Sequence, residues 1–181
     1  MITFHQLAKT RRSIRAFTKQ NIKKEDVALC VETARFAPSA CNSQPWKFVI
    51  IDDPLLKDQI AKRVLSGIHK MNYFAANASV YIALLKEPTK MPAWLGGKVR
   101  NTDFHRIDIG IACSHLVLQA QDLGIASCIL GWFNERNLKK LLKVPFYKKI
   151  ELLIALGYAK KIELPKKILK NKNTTMSFNQ Y

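Results

Sequence analysis

The sequence predicts a layered domain of helices packed on a β-sheet, in the α/β or α+β class. Four apolar stretches, residues 47–51, 79–85, 125–130 and 150–156, are rich in β-branched residues and alternate with stretches whose apolar positions recur at helical spacing. With 48% apolar residues in 181, the chain has material for one sizeable core and does not read as disordered.

Thr3 is an N-cap for a short helix through Lys9. Residues 11–17 read as irregular or extended, with Ser13 among Arg11, Arg12 and Arg15. Glu25 and Asp26 open a second helix, where negative charge suits the positive end of the dipole. Its buried stripe is Val27, Cys30, Val31 and Ala34, and Pro38 ends it. Lys47-Phe48-Val49-Ile50-Ile51 is a strand. Asp53-Pro54 starts a third helix that buries Leu56, Ile60, Val64 and Leu65. Residues 79–85 are apolar almost throughout, which predicts a strand covered on both faces.

From 86 to 104 the pattern dissolves at Pro88, Pro92, Gly96 and Gly97, while Met91, Trp94 and Phe104 keep the stretch apolar. An irregular binding loop or lid is expected there. Residues 105–123 form the most hydrophobic helix, with Ile107, Ile109, Ile111, Leu116 and Val117 covering more than one face and Gly124 closing it. A third strand spans 125–130, Asn134 caps a basic helix over 135–143, and a fourth strand spans 150–156. After Gly157 no core pattern recurs, so residues 1–158 are expected to form the domain and 159–181 an arm.

One stretch is neither core nor tight turn: Ala37-Pro38-Ser39-Ala40-Cys41-Asn42-Ser43-Gln44-Pro45-Trp46. Its prolines fix their own φ and push the preceding residues towards extended geometry. Between them lie hydroxyls, carboxamides and a thiol, an inventory of donors and acceptors that suits a planar polar ligand. The same residues suit a connection whose side chains satisfy its own backbone.

A net charge of +17 implies affinity for anions, whether nucleic acid, an acidic surface or phosphorylated small molecules. Basic residues concentrate at 11–15 and again over 160–172. Neither a glycine-rich dinucleotide fingerprint nor a P-loop occurs, so arginine forks are the natural substitute for any phosphate. Cys30, Cys41, Cys113 and Cys128 show no C-x-x-C pairing and no zinc-like spacing with the histidines, and read as free thiols of a reducing cytoplasm. The first 17 residues carry no apolar leader core, and the longest apolar run is too short for a bilayer. A cytoplasmic protein without membrane contact is expected. Cys41 has no nearby base and Cys113 and His115 face different directions on their helix, so none of these is a candidate nucleophile.

In order along the chain, Arg11-Arg12-Ser13-Ile14-Arg15, the Ala37–Trp46 stretch, Asp108-Ile-Gly-Ile-Ala-Cys through Leu123-Gly124-Ile125, Cys128-Ile-Leu-Gly131-Trp132-Phe133 and Ala155-Leu-Gly-Tyr158 resemble the motifs of the FMN-dependent nitroreductase-like flavoproteins. The resemblance implies a three-layer α+β fold with a mixed or antiparallel sheet flanked by helices. It also implies an intertwined homodimer with an FMN at each subunit boundary, the 105–123 helix covered by the partner and the arm wrapped around it.

By the same resemblance Arg11 and Ser13 hold the FMN phosphate, with Arg12 beside them, and Arg15 lies at the flavin N1–O2 edge, where a fixed cation favours hydride uptake. Pro38, Ser39, Ala40 and Asn42 match the loop that reaches the flavin from the partner. Ala40 stands where the family often has a hydroxyl, so its contact is through the backbone. Gly131 matches the residue whose amide approaches N5, and a residue without Cβ allows that approach. Leu130 stands before it, where many members carry Glu. Lys166 and Lys167 match the C-terminal phosphate ligands, with Lys160 and Lys170 as alternatives. Asn72 is a candidate for the pyrimidine edge.

The implied function is an NAD(P)H oxidoreductase that passes hydride from NADH or NADPH through FMN to a nitroaromatic, quinone or related small-molecule acceptor. No protein nucleophile, metal or nucleic acid is involved. The alternatives are a flavin-binding protein without general reductase activity and a basic nucleic-acid-binding protein. Against the last, aromatics are not interleaved with the basic runs.

Overall fold

The computed structural model describes residues 3–160 and 167–181. Its centre is a four-stranded antiparallel sheet of order β1-β2-β4-β3, formed by Trp46–Ile51 (β1), Val80–Lys86 (β2), Ala126–Leu130 (β3) and Lys149–Gly157 (β4). The sheet is antiparallel throughout, and the fold is α+β. β2 and β4 are central and apolar on both sides, as their near-continuous apolar sequences require.

Alternate side chains of β2 feed two cores. Tyr81, Ala83 and Leu85 face a cluster with Ile60, Val64, Leu65 and Leu138, while Val80, Ile82 and Leu84 face one with Val27, Cys30, Ile109, Leu116 and Ala120. Helices Pro54–Arg63 (α3) and Glu135–Leu141 (α6) therefore cover one face, and Lys24–Arg35 (α2) and Phe104–Asp122 (α5) the other. The result is the expected three layers.

The caps anticipated from the sequence form. Thr3 makes a reciprocal capping box with Gln6 at the start of Phe4–Thr10 (α1), Asp53 accepts from Leu56 N at 2.8 Å, and Asn134 accepts from Asn137 N at 3.0 Å.

One expectation is overturned. The stretch read as an irregular lid contains a helix, Met91–Arg100 (α4). Pro92 sits in the first turn, where its missing N–H costs nothing, and Asn101 ends the helix in the left-handed conformation at φ 52°. Gly97 is needed because a Cβ there would lie 2.7 Å from the Thr102 carbonyl oxygen. Of the residues that looked like breakers, Pro92 is thus a start and Gly97 a close contact, and Asn101 supplies the stop. α4 buries Ala93 and leaves Met91 and Trp94 exposed.

α5 buries Ile109, Ala112, Cys113, Leu116, Val117 and Ala120, whereas Ile107 is half exposed. Its outer side, with Phe4 and Leu7 of α1 and Thr33 of α2, lines an apolar groove of about 660 Å³. Beyond Gly157, Ala159 bridges Phe17, and residues 167–181 are exposed, with one 3-10 turn at Lys172–Thr174.

Candidate flavin site

Residues 11–18 leave α1 and run past the start of β3, an edge strand of the sheet. Ser13 bridges Ser127 in parallel, Ile14 N donates to Ser127 O at 3.0 Å, and Thr18 N donates to Tyr158 O at 2.8 Å. Ile14 and Phe17 are the buried pegs that hold the segment there. Because side chains alternate along an extended chain, the two residues that flank Ile14, Ser13 and Arg15, point outward and are exposed.

Arg11 is half-buried, and its Nη1 is buried with no hydrogen-bond partner among the described residues. A buried guanidinium nitrogen in that condition calls for an anion or another acceptor. Burial pushes the Cys113 thiol up to about 12 and raises that of Cys128; Arg11 opposes the rise at both, and Arg15 opposes it at Cys128. Arg11 therefore lies close to both α5 and β3. Arg15 holds its guanidinium 5.9 Å over the Phe74 ring. Arg12 is half-buried.

At the other end of β3, Leu130 is buried in the core, so a ligand would find only its backbone. Gly131 is exposed, and a Cβ added to it would meet nothing within 4 Å. This chain's own packing therefore does not demand the glycine. Trp132 is clamped by the 3-10 segment Gly67–Asn77. Asn72 Nδ2 donates to Trp132 O at 2.5 Å, Trp132 Nε1 donates to Ile68 O at 3.3 Å, and the His69 and Trp132 rings stand 5.2 Å apart. Asn72, the pyrimidine-edge candidate, thus spends an amide hydrogen on the Trp132 carbonyl. The clamp was hidden in the sequence because its partners lie some sixty residues apart.

The polar loop forms a tight, internally bonded structure. Gln44 N donates to Ser39 Oγ at 2.9 Å, Ser43 Oγ to Ala40 O at 2.6 Å, and Gln44 Nε2 to Asn42 Oδ1 at 3.0 Å. Cys41, Asn42 and Gln44 all have positive φ, near 50°. Much of the loop's polar inventory therefore satisfies the loop itself, the second of the two roles open to it. It is tied to α5 through Asp108, whose two carboxylate oxygens each lie 3.2 Å from Ala40 N. Asp108 is only 3% exposed. Burial raises its pKa above the ordinary carboxylate value, opposed by the Ala40 N–H and by His105. The sequence places Asp108 in a motif but gives it no role; the signal for one is an acid at a core-facing position beside Ile109 and Ala112.

The structure thus gathers Arg11, Ser13 and Arg15 at β3, sets Gly131 at its far end, and hangs Pro38–Asn42 from the start of α5. Lys167 Nζ donates to Ala8 O at 3.4 Å, while Lys166 lies outside the described residues. Among the described residues no group of His, Cys, Asp and Glu is placed to hold a metal ion, and no helix is long and apolar enough to cross a membrane.

The nitroreductase family model matches residues 8–158. An iodotyrosine deiodinase of Thermotoga neapolitana is 28% identical over 87% of this chain and 89% of its own. A protein of Archaeoglobus fulgidus with the provisional name NADH dehydrogenase/NAD(P)H nitroreductase is 31% identical over 83% of this chain and 82% of its own. The chain spans 62% of the length of the orangutan and human iodotyrosine deiodinases that it also matches. Among solved structures, a nitroreductase family protein of Clostridium novyi superposes with a TM-score of 0.77 at 29% identity, covering 88% of this chain and 87% of its own. The same fold recurs in an FMN-dependent nitroreductase of Clostridium difficile, with a TM-score of 0.75 at 24% identity over 97% of this chain and 98% of its own. With fold and match in agreement over most of its length, this chain belongs to the nitroreductase family.

Proposed function

We propose that the chain is an FMN-dependent oxidoreductase that takes hydride from NADH or NADPH and reduces nitroaromatics, quinones or related acceptors. The observation that carries the cofactor half is the buried, partnerless Nη1 of Arg11 among the described residues, with exposed Ser13 two residues on. That pairing of a guanidinium with a hydroxyl suits a phosphate monoester. Bound there, FMN supplies the chemistry of accepting and returning a hydride.

The protein's own residues bind and orient. In this reading Arg11 and Ser13 hold the phosphate, with Arg12 beside them and Lys167 or its neighbours adding charge. Arg15 places a cation near the pyrimidine edge. The backbone of Leu130 and Gly131 gives unobstructed access at the reacting face. Pro38, Ser39, Ala40 and Asn42 belong to a second subunit's site, as the resemblance implies, on a loop that Asp108 ties to the start of α5. The apolar groove along α5 supports a homodimer built on that helix, a conventional use of an exposed apolar helix face.

A second reading, reductive removal of iodide from an iodinated tyrosine, is supported by the similarity to iodotyrosine deiodinases. An absorbance spectrum of FMN-loaded, desalted protein, followed by anaerobic NADH and NADPH additions, tests the first reading. Bleaching by either nucleotide is expected, with colour restored by a nitroaromatic. Flavin that bleaches only with dithionite and is then reoxidised by iodotyrosine would replace the first reading with the second. Colourless protein would remove both.

A further inference from the structure

The Pro38–Asn42 loop has an unusual backbone. Cys41 at φ 53°, Asn42 at 49° and Gln44 at 50° are non-glycine residues in the left-handed region, a conformation that persists only where surroundings over-determine it. The bonds among Ser39, Ala40, Asn42, Ser43 and Gln44 close the loop on itself but do not place it on the molecule. Among the described residues, contacts to two regions do that. Just after β2, Lys90 N donates to Ser43 Oγ at 3.2 Å and Glu87 N to Pro45 O at 3.0 Å, and in α5 Asp108 receives Ala40 N.

The second of these has an ionisable acceptor inside the protein. Asp108 is packed among Ile109, Ala112 and the rest of the α5 core face, where an apolar residue would fit the helix pattern better. Both of its oxygens converge on one amide hydrogen. His105, one turn earlier on the same side of α5, adds favourable charge, and its Nδ1 lies 3.1 Å from Asp103, which also faces Lys86 at 3.5 Å. A buried acid aimed at a single backbone N–H of a strained loop is an arrangement for holding that loop in place.

We propose that Asp108 is the positioning residue of the flavin loop: through Ala40 N it sets the backbone of residues 38–42 in the shape that receives the cofactor, without touching the cofactor itself. This rests on the reading that the loop contacts FMN, and the loop's own thiol separates the two ideas. Cys41 is exposed while Cys30, Cys113 and Cys128 are buried, so the labelling rate of Cys41 reports the loop in flavin-free protein.

The test uses two variants that break the same bond from opposite sides. Asp108→Asn keeps the size and loses the charge. Ala40→Pro removes the donor and is compatible with the extended Ser39 before it, at φ −146° and ψ 154°. Each is measured for monobromobimane labelling of the flavin-free protein and for FMN affinity by flavin fluorescence. Labelling at least about fivefold faster and FMN affinity at least about tenfold weaker are expected in both. The double variant should be no worse than the stronger single one, because both remove one interaction. Unchanged labelling in both variants would overturn Asp108 as the anchor. Faster labelling with unchanged FMN affinity would leave the anchor but overturn the cofactor role, and with it the assignment of the loop to the flavin.

Discussion

Gly157 and Phe17 are in such close contact that a Cβ on Gly157 would stand 2.7 Å from Cδ1 of the Phe17 ring. Phe17 is 1% exposed and pins the segment that carries Arg11, Ser13 and Arg15. Gly157→Ala must therefore push out the ring or bend β4. The expected cost is about 1–3 kcal/mol of unfolding free energy, typical of overpacking. Urea denaturation checks it, and a change below about 0.5 kcal/mol would show that the contact is softer than it looks.

Arg11→Ala is expected to weaken FMN binding by roughly 10- to 100-fold, the loss of charge-assisted hydrogen bonds worth about 1.5–3 kcal/mol. Arg11→Lys should recover only part, since an ammonium lacks the guanidinium fork. Flavin retained in full by Arg11→Ala after desalting and dilution would remove the phosphate assignment.

Arg15 is exposed, so its effect on a bound flavin is screened. Arg15→Ala is expected to lower the midpoint potential by about 20 mV, which corresponds to about 1 kcal/mol for a two-electron couple. Spectroelectrochemical titration reads it, and an unchanged potential would place Arg15 away from the pyrimidine edge.

Glu135 ties the start of α6 to β4. It receives Ile150 N at 3.0 Å and Lys149 Nζ at 2.6 Å, and its other neighbour is Lys139 at 3.0 Å. Burial works against its ionisation, but Lys149, the Ile150 N–H and Lys139 outweigh it and lower the pKa. A lowered folded pKa means the unfolded chain takes up the proton first as pH falls. The stabilisation is therefore complete above the ordinary carboxylate value of about 4.5 and is lost as pH falls through the folded one. Glu135→Gln should cost about 1 kcal/mol at pH 7 and almost nothing well below pH 4. Equal costs at both pH values would assign the effect to shape instead of charge.

Much of this protein is written locally. The four strands, the helices on either side of them and their caps follow from residues a few positions apart: the β-branched runs, Thr3, Asp53, Asn134, and the stripe Val27, Cys30, Ala34. So does the extended arginine segment, whose motif also carries the family resemblance. Local signals misled at 91–100 because a proline and a glycine such as Pro92 and Gly97 look the same whether they break a helix or start and pack one. Which of these holds depends on Thr102 and Phe104 folding back against Gly97.

Tertiary structure alone decided the rest. That Asn72 holds Trp132, that Asp108 holds Ala40, and that Arg11 comes near enough to Cys113 and Cys128 to act on their thiols are meetings of residues far apart in the chain. Periodicity reports only which face of an element is apolar; it carries no information about what that face will meet. A buried acid, a glycine or an arginine therefore acquires its task only when packing delivers its partner.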